Sequence, residues 1–209
     1  DGTTLSGMLV NPPAASLAAK HLGRLILNDK TNVDRLHYSP TSDHTVWQGI
    51  GDSGAIDIGI GDGDPSGITA FLSYKGQLLV WKRNKFYRVV GQTPETFQII
   101  LVSDNLGCIS PGSVVTIDES DVYWVSERGI HSVEATLAYG DFATSYVSFD
   151  IQKTFNDDFS LSRLPYIKAA YLAQINSVAF AVNETSGLNR SLTSTTVNNA
   201  LYLYNAINR

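Results

Sequence analysis

Short runs of β-branched and aromatic residues, each closed by Gly, Asn or Asp, recur along this chain, and one pair of runs recurs at a fixed distance. At an offset of 44 residues, Leu78–Trp81 aligns with Val122–Val125 and Phe86–Val89 aligns with Ile130–Val133, with the intervening turns in register. A repeat of about 40 to 50 residues that holds four short antiparallel strands has the period of a β-propeller blade. The repeat therefore predicts an all-β, β-propeller-like fold with four-stranded antiparallel blades.

The same pattern divides the chain into four segments. We predict a partial first blade plus a loop rich in Gly and Asp over residues 1–67, a blade over 68–103, a blade over 112–149, and a partial blade with an insertion rich in Ser, Thr and Asn over 166–209. The blade over 112–149 is predicted to end in a strand at Ser145–Phe149. Helices are predicted only at Pro13–Leu22 and Ser160–Leu164.

Propellers close with about four or more blades, and an open arc leaves apolar sheet faces in water. Two full blades and two partial ones do not meet that requirement, so we expect an incomplete propeller or a fragment of a larger protein. A β-sandwich with about 7 to 11 strands is the alternative that the sequence leaves open.

Composition excludes several classes of protein. The 209 residues are 43% hydrophobic, which suffices for a sizeable core and excludes disorder as the main state. The formal charge is −5, and the 15 basic residues form no stripe that matches a phosphate backbone. No apolar run approaches the roughly 18 residues of a membrane span. We therefore expect no sequence-specific nucleic acid and no membrane among the partners.

The one cysteine, Cys108, rules out an intrachain disulfide and a thiolate metal site. Its neighbours Leu106 and Ile109 are apolar, and no histidine lies near it in the sequence. We predict a packed thiol that does not act as a nucleophile.

Ser53, in the motif Gly-Asp-Ser-Gly, has the sequence context of a serine-protease nucleophile, which needs a histidine base and a carboxylate. Only about 50 residues precede Ser53, whereas chymotrypsin-like proteases place a whole barrel before the serine. We interpret the motif as an ordinary turn.

An acidic loop contains Asp57, Asp62, Asp64 and Ser66 and copies part of a calcium-binding loop. Its twelfth position is Ser73 instead of the bidentate glutamate, so we predict an acidic surface turn.

Other polar and aromatic residues offer isolated candidates. The histidines lack the spacing of a metal site, and the glutamates lie on separate turns. Two glycosylation sequons fall in a region rich in Ser, Thr and Asn. The tryptophans fit packing in a core better than a role as sugar-binding platforms. These candidates are His21, His37, His44 and His131; Glu95, Glu119, Glu127 and Glu134; Asn183 and Asn189; and Trp47, Trp81 and Trp124. We predict no catalytic, cofactor-binding or metal-binding residues and no cofactor.

Several stretches share a common grammar of acidic turn, strand and hairpin. They are Gly61–Pro65, Ile68–Phe71, Tyr74–Lys82, Phe86–Val89, Gly107–Val114, Val122–Ser126 and Arg128–Val133. Together they resemble virion tail proteins of tailed bacteriophages, particularly the propeller-bearing nozzle or tail stabilisation proteins of short-tailed phages. The resemblance covers Gly61 to Val133, about a third of the chain, with weaker agreement as far as Tyr204.

The resemblance implies a structural protein with no active site to carry over. The expected function is a non-enzymatic tail component, a nozzle- or hub-type ring subunit that is located in the virion and takes part in virion assembly and DNA passage. Its expected partners are subunits of the same kind and neighbouring tail proteins. The alternative is an extracellular β-propeller protein that binds or cleaves glycans.

Overall fold

A computed structural model describes residues 12–41, 43–47, 51–139, 146–184 and 198–205. These residues form four sheets in which each strand pairs with its neighbour in sequence. The first sheet contains β1 (Ala18–His21), β2 (Arg24–Asn28), β3 (Arg35–Tyr38) and β4 (Gly54–Asp57); the second contains β5 (Ile68–Tyr74), β6 (Gln77–Lys82), β7 (Phe86–Val90) and β8 (Gln98–Ser103). The third contains β9 (Val115–Ile117), β10 (Asp121–Val125) and β11 (Ile130–Ser132); the fourth contains β12 (Lys168–Leu172), β13 (Ser177–Val182) and β14 (Ala200–Asn205).

Helices are a minor component of the described residues. Two α-helices, α1 (Val133–Tyr139) and α2 (Gln152–Asp157), lie between the third and fourth sheets in sequence. Short 3₁₀ helices occupy Pro94–Thr96, Pro111–Ser113, Phe149–Ile151, Leu161–Tyr166 and Ala173–Ile175. The predicted all-β class is confirmed, and four sheets of three or four strands agree with the blade-like organisation.

The chain divides into two compact units, one formed by Asp1–Trp81 with Tyr87–Leu101 and the other by Lys82–Phe86 with Val102–Arg209. The first unit holds the first sheet and most of the second, and the other holds the third and fourth sheets. In the first unit β1 lies beside β5, and in the second unit β9 lies beside β12. Within each unit, the first strands of its two sheets are therefore neighbours, as is expected of adjacent propeller blades.

The apolar residues of each unit form a core between its sheets. The core of the first unit consists of Ile26, Leu36, Ile58, Ile68, Leu78, Val80, Tyr87 and Val89. The core of the second unit consists of Ile109, Ile117, Tyr123, Val125, Ile130, Phe155, Phe159, Leu164, Ile167, Val178, Phe180 and Val182. All five residues of β10 are buried, as are all but the first of β6. A strand buried on both sides needs apolar residues in an unbroken run, which explains why the sequence lacks simple alternation there.

The connection between the first two strands uses a left-handed backbone in every sheet. A residue with φ near +45° lies there in each case, namely Leu22, Lys75, Asp118 and Asn176. In the first two sheets a glycine with positive φ follows, as the two-residue turns of tight hairpins require. The four sheets thus share a local geometry that their sequences share only in part.

The first sheet differs from the prediction in two places. The helix predicted at Pro13–Leu22 is wrong, because Ala18–His21 forms β1 and pairs with Arg24–Leu27 of β2. Helix-favouring alanines do not prevent this, since strand pairing outweighs the small differences in helix propensity.

The first sheet also has a fourth strand, β4, inside the segment that reads as a Gly- and Asp-rich loop. The β3 residue Arg35 makes two hydrogen bonds to the β4 carboxylate of Asp57, from Nε at 2.6 Å and from Nη2 at 2.8 Å. This bidentate contact holds β3 and β4 together in a segment whose residues have a weak preference for strands.

The strand predicted at Ser145–Phe149 is not formed by its described residues. The N–H of Val147 donates to the Ile130 carbonyl at 2.9 Å, and the chain then enters a 3₁₀ helix at Phe149. After β11 the chain instead forms α1, whose first turn is capped: the Ala135 N–H donates to Ser132 Oγ at 3.0 Å and the Glu134 N–H donates to Asp121 Oδ1 at 3.1 Å. These caps satisfy backbone donors that a strand would have paired.

The fourth sheet agrees well with the prediction. The partial blade predicted over residues 166–209 contains the three strands β12, β13 and β14. The short helix predicted at Ser160–Leu164 is present as the 3₁₀ helix Leu161–Tyr166. Most of the insertion before β14, including Asn189, lies outside the described residues.

Gly107 lies against the backbone that follows β6. A Cβ atom at this position would stand 2.2 Å from the carbonyl carbon and oxygen of Arg83 and 2.3 Å from the oxygen of Lys82. Next to it, the Cys108 N–H donates to the Lys82 carbonyl at 2.9 Å, and Trp124 Nε1–H donates to the Gly107 carbonyl at 3.0 Å. The close approach therefore depends on the absence of a side chain.

We expect Gly107→Ala to lower the free energy of unfolding by about 2–4 kcal/mol, because backbone atoms cannot move aside as a side chain can. Urea denaturation measures the change. The control is Gly112→Ala, whose Cβ would meet the flexible side chain of Lys168. Equal stability of the two variants would contradict the packing described for Gly107.

Candidate functional site

The three histidines of the first unit bond to partners that do not form a catalytic set with Ser53. His21 Nδ1 lies 2.8 Å from Ser73 Oγ, and His37 Nε2 lies 2.9 Å from Asp29 Oδ2. His44 Nδ1 lies 3.1 Å from Ser39 Oγ. Desolvation by burial lowers the pKa of His21.

The turn around Ser53 has a structural role through its neighbour Asp52. The Asp52 carboxylate accepts a hydrogen bond from Arg24 Nη2 at 2.5 Å, and this bond is the main cause that lowers the carboxyl pKa. Arg24 is buried and also donates to the Ser39 and Asp52 carbonyls at 3.0 and 3.1 Å. This turn therefore anchors a buried guanidinium of β2.

The acidic loop uses its carboxylates to hold its own backbone. Asp62 Oδ1 accepts the Asp64 N–H, and Asp64 Oδ1 accepts the Ser66 N–H, each at 2.9 Å. The other oxygen of Asp62 accepts a hydrogen bond from the Tyr87 hydroxyl, and burial together with this carboxylate raises the pKa of Tyr87. Gly61, Gly63, Pro65 and Ser66 are exposed, so the loop is an acidic turn at the surface, and Asp64 is its buried carboxylate.

The tryptophans are packing residues. Trp47, Trp81 and Trp124 all lie among the largest fully buried side chains. Trp124 packs between Phe86 and His131, with ring centroids 5.3 and 5.4 Å away. None of the three offers an exposed face to a sugar.

Cys108 is buried, as predicted. Its thiol donates to the Ser110 carbonyl with a sulfur–oxygen distance of 3.1 Å. Burial is the main cause that raises the pKa of the thiol, to about 12. At neutral pH the group is therefore protonated and weakly nucleophilic.

A cavity of the second unit lies where the turns of neighbouring strands meet. Three connections meet at this cavity: the β6–β7 turn, the β10–β11 turn and the link from β8 to β9. They enclose about 170 Å³ lined by Arg83, Asn84, Asn105, Gly107, Ser126, Glu127 and Arg128.

A salt bridge connects the two turns. Arg83 Nε donates to Glu127 Oε1 at 2.7 Å, and both side chains are about half exposed. Arg83 and Glu127 occupy equivalent positions in the 44-residue repeat. Among the four glutamates considered in the sequence analysis, Glu127 lines this cavity. Its carboxylate is paired there with the guanidinium group of Arg83.

A second cavity of about 390 Å³ adjoins the first through Glu127 and Arg128. Its other lining residues are Tyr146, Phe149, Gln152 and Asn156, from the segment that replaces the predicted fourth strand. We call the two cavities together the turn groove. The sequence did not indicate this site, because Ser145–Phe149 was assigned to a strand.

Ser126, which lines the smaller cavity, forms a close pair with the buried His131. Ser126 Oγ lies 2.6 Å from His131 Nε2, a distance typical of a nucleophile and its base. His131 Nδ1, however, is buried without a hydrogen-bond partner among the described residues, so no carboxylate there orients the ring. Burial, with a smaller effect of Arg128, lowers the pKa of His131 to about 3.

A base with that pKa has little driving force to remove a proton at neutral pH. Ser126 Oγ also accepts the Arg128 N–H at 2.9 Å, so the pair supports the β10–β11 turn. The ring of His131 packs at 80° against Tyr146, with centroids 4.4 Å apart. We therefore assign Ser126 and His131 a positioning role.

Comparisons with models of protein families and with curated proteins gave no match. In the described parts of the chain, no cluster of three or more His, Cys, Asp or Glu side chains is arranged to bind a metal. No helix among those residues combines the length and apolar character that a membrane span requires.

We expect the neutral, buried state of His131 to make stability depend on pH. Between pH 6.5 and about 3 the unfolded chain binds a proton at His131 that the native protein excludes, so stability falls as pH falls, by about 1 kcal/mol per pH unit. His131→Gln keeps a hydrogen-bonding group but cannot titrate. Its unfolding free energy should decline less steeply than that of the wild type from pH 6 to 4. Parallel pH profiles would contradict this.

For Cys108 we expect slow reaction with a chromogenic disulfide reagent at pH 8. Burial and the raised pKa both limit the thiolate that the reagent can reach. The same protein unfolded in urea is the control and should react at least about a hundredfold faster. Equal rates in the two states would mean that the thiol is accessible.

Proposed function

We propose that this chain is a non-enzymatic structural component of a bacteriophage tail. In this proposal it is a ring subunit of the nozzle or hub type, located in the virion, that takes part in virion assembly and in the passage of DNA. Its partners are copies of itself and neighbouring tail proteins. The observation that carries the proposal is a pair of exposed leucines, Leu201 and Leu203, on one face of the fourth sheet.

The register of the fourth sheet defines this face. Alternate residues of β14 point to opposite sides, and Tyr202 and Tyr204 pack against the core of the second unit. Leu201 and Leu203 point the other way, opposite Ala181 and Ala179 of β13, and Ala179 is opposite Ala170 of β12. We call this side the open face; its apolar residues are Ala170, Leu172, Ala179, Ala181, Leu201 and Leu203, and Lys168, Ser177 and Asn205 lie at its two ends.

The middle of the open face is apolar, and the two leucines of β14 on it are exposed. Leu201 and Leu203 are 62% and 57% exposed, although they lie within a regular strand. Small alanines in the centre and leucines at the sides leave room for side chains from another sheet. An exposed apolar patch of this kind marks a surface that a partner covers.

A ring supplies such a partner for every subunit. Head-to-tail contacts bring a different surface of the next copy against the open face, and such contacts close into a ring when the rotation permits. A specific contact buries about 1,000 Å² or more in total, so the open face forms the apolar centre of an interface that extends onto the surface around it.

Three further features support a tail subunit over an enzyme. The resemblance to tail proteins runs from Gly61 to Val133, through the second and third sheets. The serine–histidine pair of the third sheet lacks an oriented, basic imidazole. A formal charge of −5 also suits a channel that DNA passes without binding, because like charges repel the phosphates.

The assembly is tested by sedimentation velocity of the purified chain at high concentration, with electron microscopy of the particles. We expect the wild type to form a closed oligomer and the double variant Leu201→Glu/Leu203→Glu to sediment as a monomer, because charges cannot be buried at the contact. Leu137→Glu, at another exposed leucine of the second unit, is the control and should remain oligomeric.

A monomeric wild type, or an unchanged oligomer for the double variant, would overturn the proposed contact. Immunogold labelling of purified phage particles with an antibody against the chain tests the location. Labelling that is absent from the tail would overturn the assignment to the virion tail.

A further inference from the structure

We propose that the turn groove is a binding site for a carboxylated saccharide. The groove is a separate feature from the open face, and the inference does not depend on the tail proposal. It follows from three properties of the lining residues: unpaired hydrogen-bonding groups of both kinds, an excess of positive charge, and an exposed aromatic ring.

The donors face the groove from two elements. Arg128 lines both cavities of the groove. No described residue accepts a hydrogen bond from its guanidinium group. Asn156 uses its Oδ1 to accept from Gln152 Nε2 at 3.1 Å, which leaves its amide N–H groups for a ligand. Two donors of this kind, one of them a cation, suit a carboxylate.

An acceptor lies beside these donors. Glu127 receives both bonds from Arg83 on Oε1, and its Oε2 accepts none from a described residue. A ligand that only carries a carboxylate would leave this oxygen unused and would place two anions close together. A ligand that also carries hydroxyl groups can donate to Glu127 while its carboxylate meets Arg128.

The charge of the groove favours an acidic ligand over a neutral one. Two guanidinium groups, Arg83 and Arg128, and one carboxylate, Glu127, line the two cavities, which leaves a net charge of +1. Because Arg83 is already paired with Glu127, the uncompensated charge belongs to Arg128.

The apolar side of the groove is formed by aromatic rings. Phe149 is 54% exposed and lines the larger cavity together with Tyr146. Sugar rings present a face of C–H groups that packs on such a ring while their hydroxyl groups stay in polar surroundings. The larger cavity, about 390 Å³, falls in the range of small-ligand sites.

The groove is also held in shape before a ligand arrives. Gln152 Nε2 donates to the Arg128 carbonyl at 2.7 Å, and the Arg128 N–H donates to Ser126 Oγ at 2.9 Å. The backbone of Arg128 is therefore fixed from both sides, which lowers the entropic cost of binding. The buried Ser126–His131 pair supplies one of these two supports.

The test is isothermal titration calorimetry of the purified chain with trigalacturonic acid, with galactotriose as the neutral trisaccharide. We expect trigalacturonic acid to bind at least about tenfold more tightly than galactotriose, and Arg128→Gln to remove that preference. Phe149→Ala should weaken both sugars by about fivefold or more.

Lys153→Gln is the matched control, because it removes the same charge one residue from Gln152 and its exposed side chain does not line the groove. Its affinity should stay within about twofold of the wild type. Thermal melting of each variant verifies that the fold is retained, and Arg128→Gln should leave the sedimentation coefficient unchanged.

Three results would overturn the inference. They are absence of binding to the wild type, equal affinity for the acidic and neutral trisaccharides, and equal affinity for acetate, which would indicate a simple anion site. Tighter binding of a tetraglutamate peptide than of trigalacturonic acid would assign the groove to an acidic protein segment instead.

Discussion

The structure depends on strands that are buried on both faces. The β6 and β10 strands lie in the middle of their sheets and carry bulky apolar side chains on both sides, so neither sheet is stable as a single layer. Such strands require apolar side chains to pack against both faces of the sheet. In the fourth sheet, the central strand β13 is largely buried, whereas Leu201 and Leu203 of β14 are exposed.

The all-β class and the central hairpins could be predicted from the sequence because they depend on local signals. Short apolar runs and turn residues identified β6, β7, β10 and β11 correctly, and a 44-residue spacing related the two hairpins. The wrong predictions concern segments whose structure is determined by pairing with residues that are distant in the sequence. β1 contains helix-favouring residues, and β4 is held in place by the ion pair between Arg35 and Asp57, which are 22 residues apart.

The candidate site was less accessible to sequence reasoning. The turn groove combines the β10–β11 turn with Tyr146, Phe149, Gln152 and Asn156, and the alternating pattern around Ser145–Phe149 favours a strand over the turn and helix that exist. The signal that was available is Ser132, a helix-capping residue that precedes a run of helix-forming residues. Conversely, Ser53 and the acidic loop have motif-like sequences because tight turns use the same small and acidic residues as catalytic and metal-binding loops.

The left-handed residue at the first hairpin of every sheet bears on how such a chain changes over time. Leu22, Lys75, Asp118 and Asn176 differ in size, charge and polarity, yet all adopt nearly the same backbone angle. The turn therefore imposes a conformational requirement that many side chains meet at a modest energetic cost, and it leaves their identity open to drift. Substitutions at these four positions therefore alter the surface of the turn without altering its bend, so equivalent hairpins in such a chain are recognised by backbone angle more readily than by residue identity.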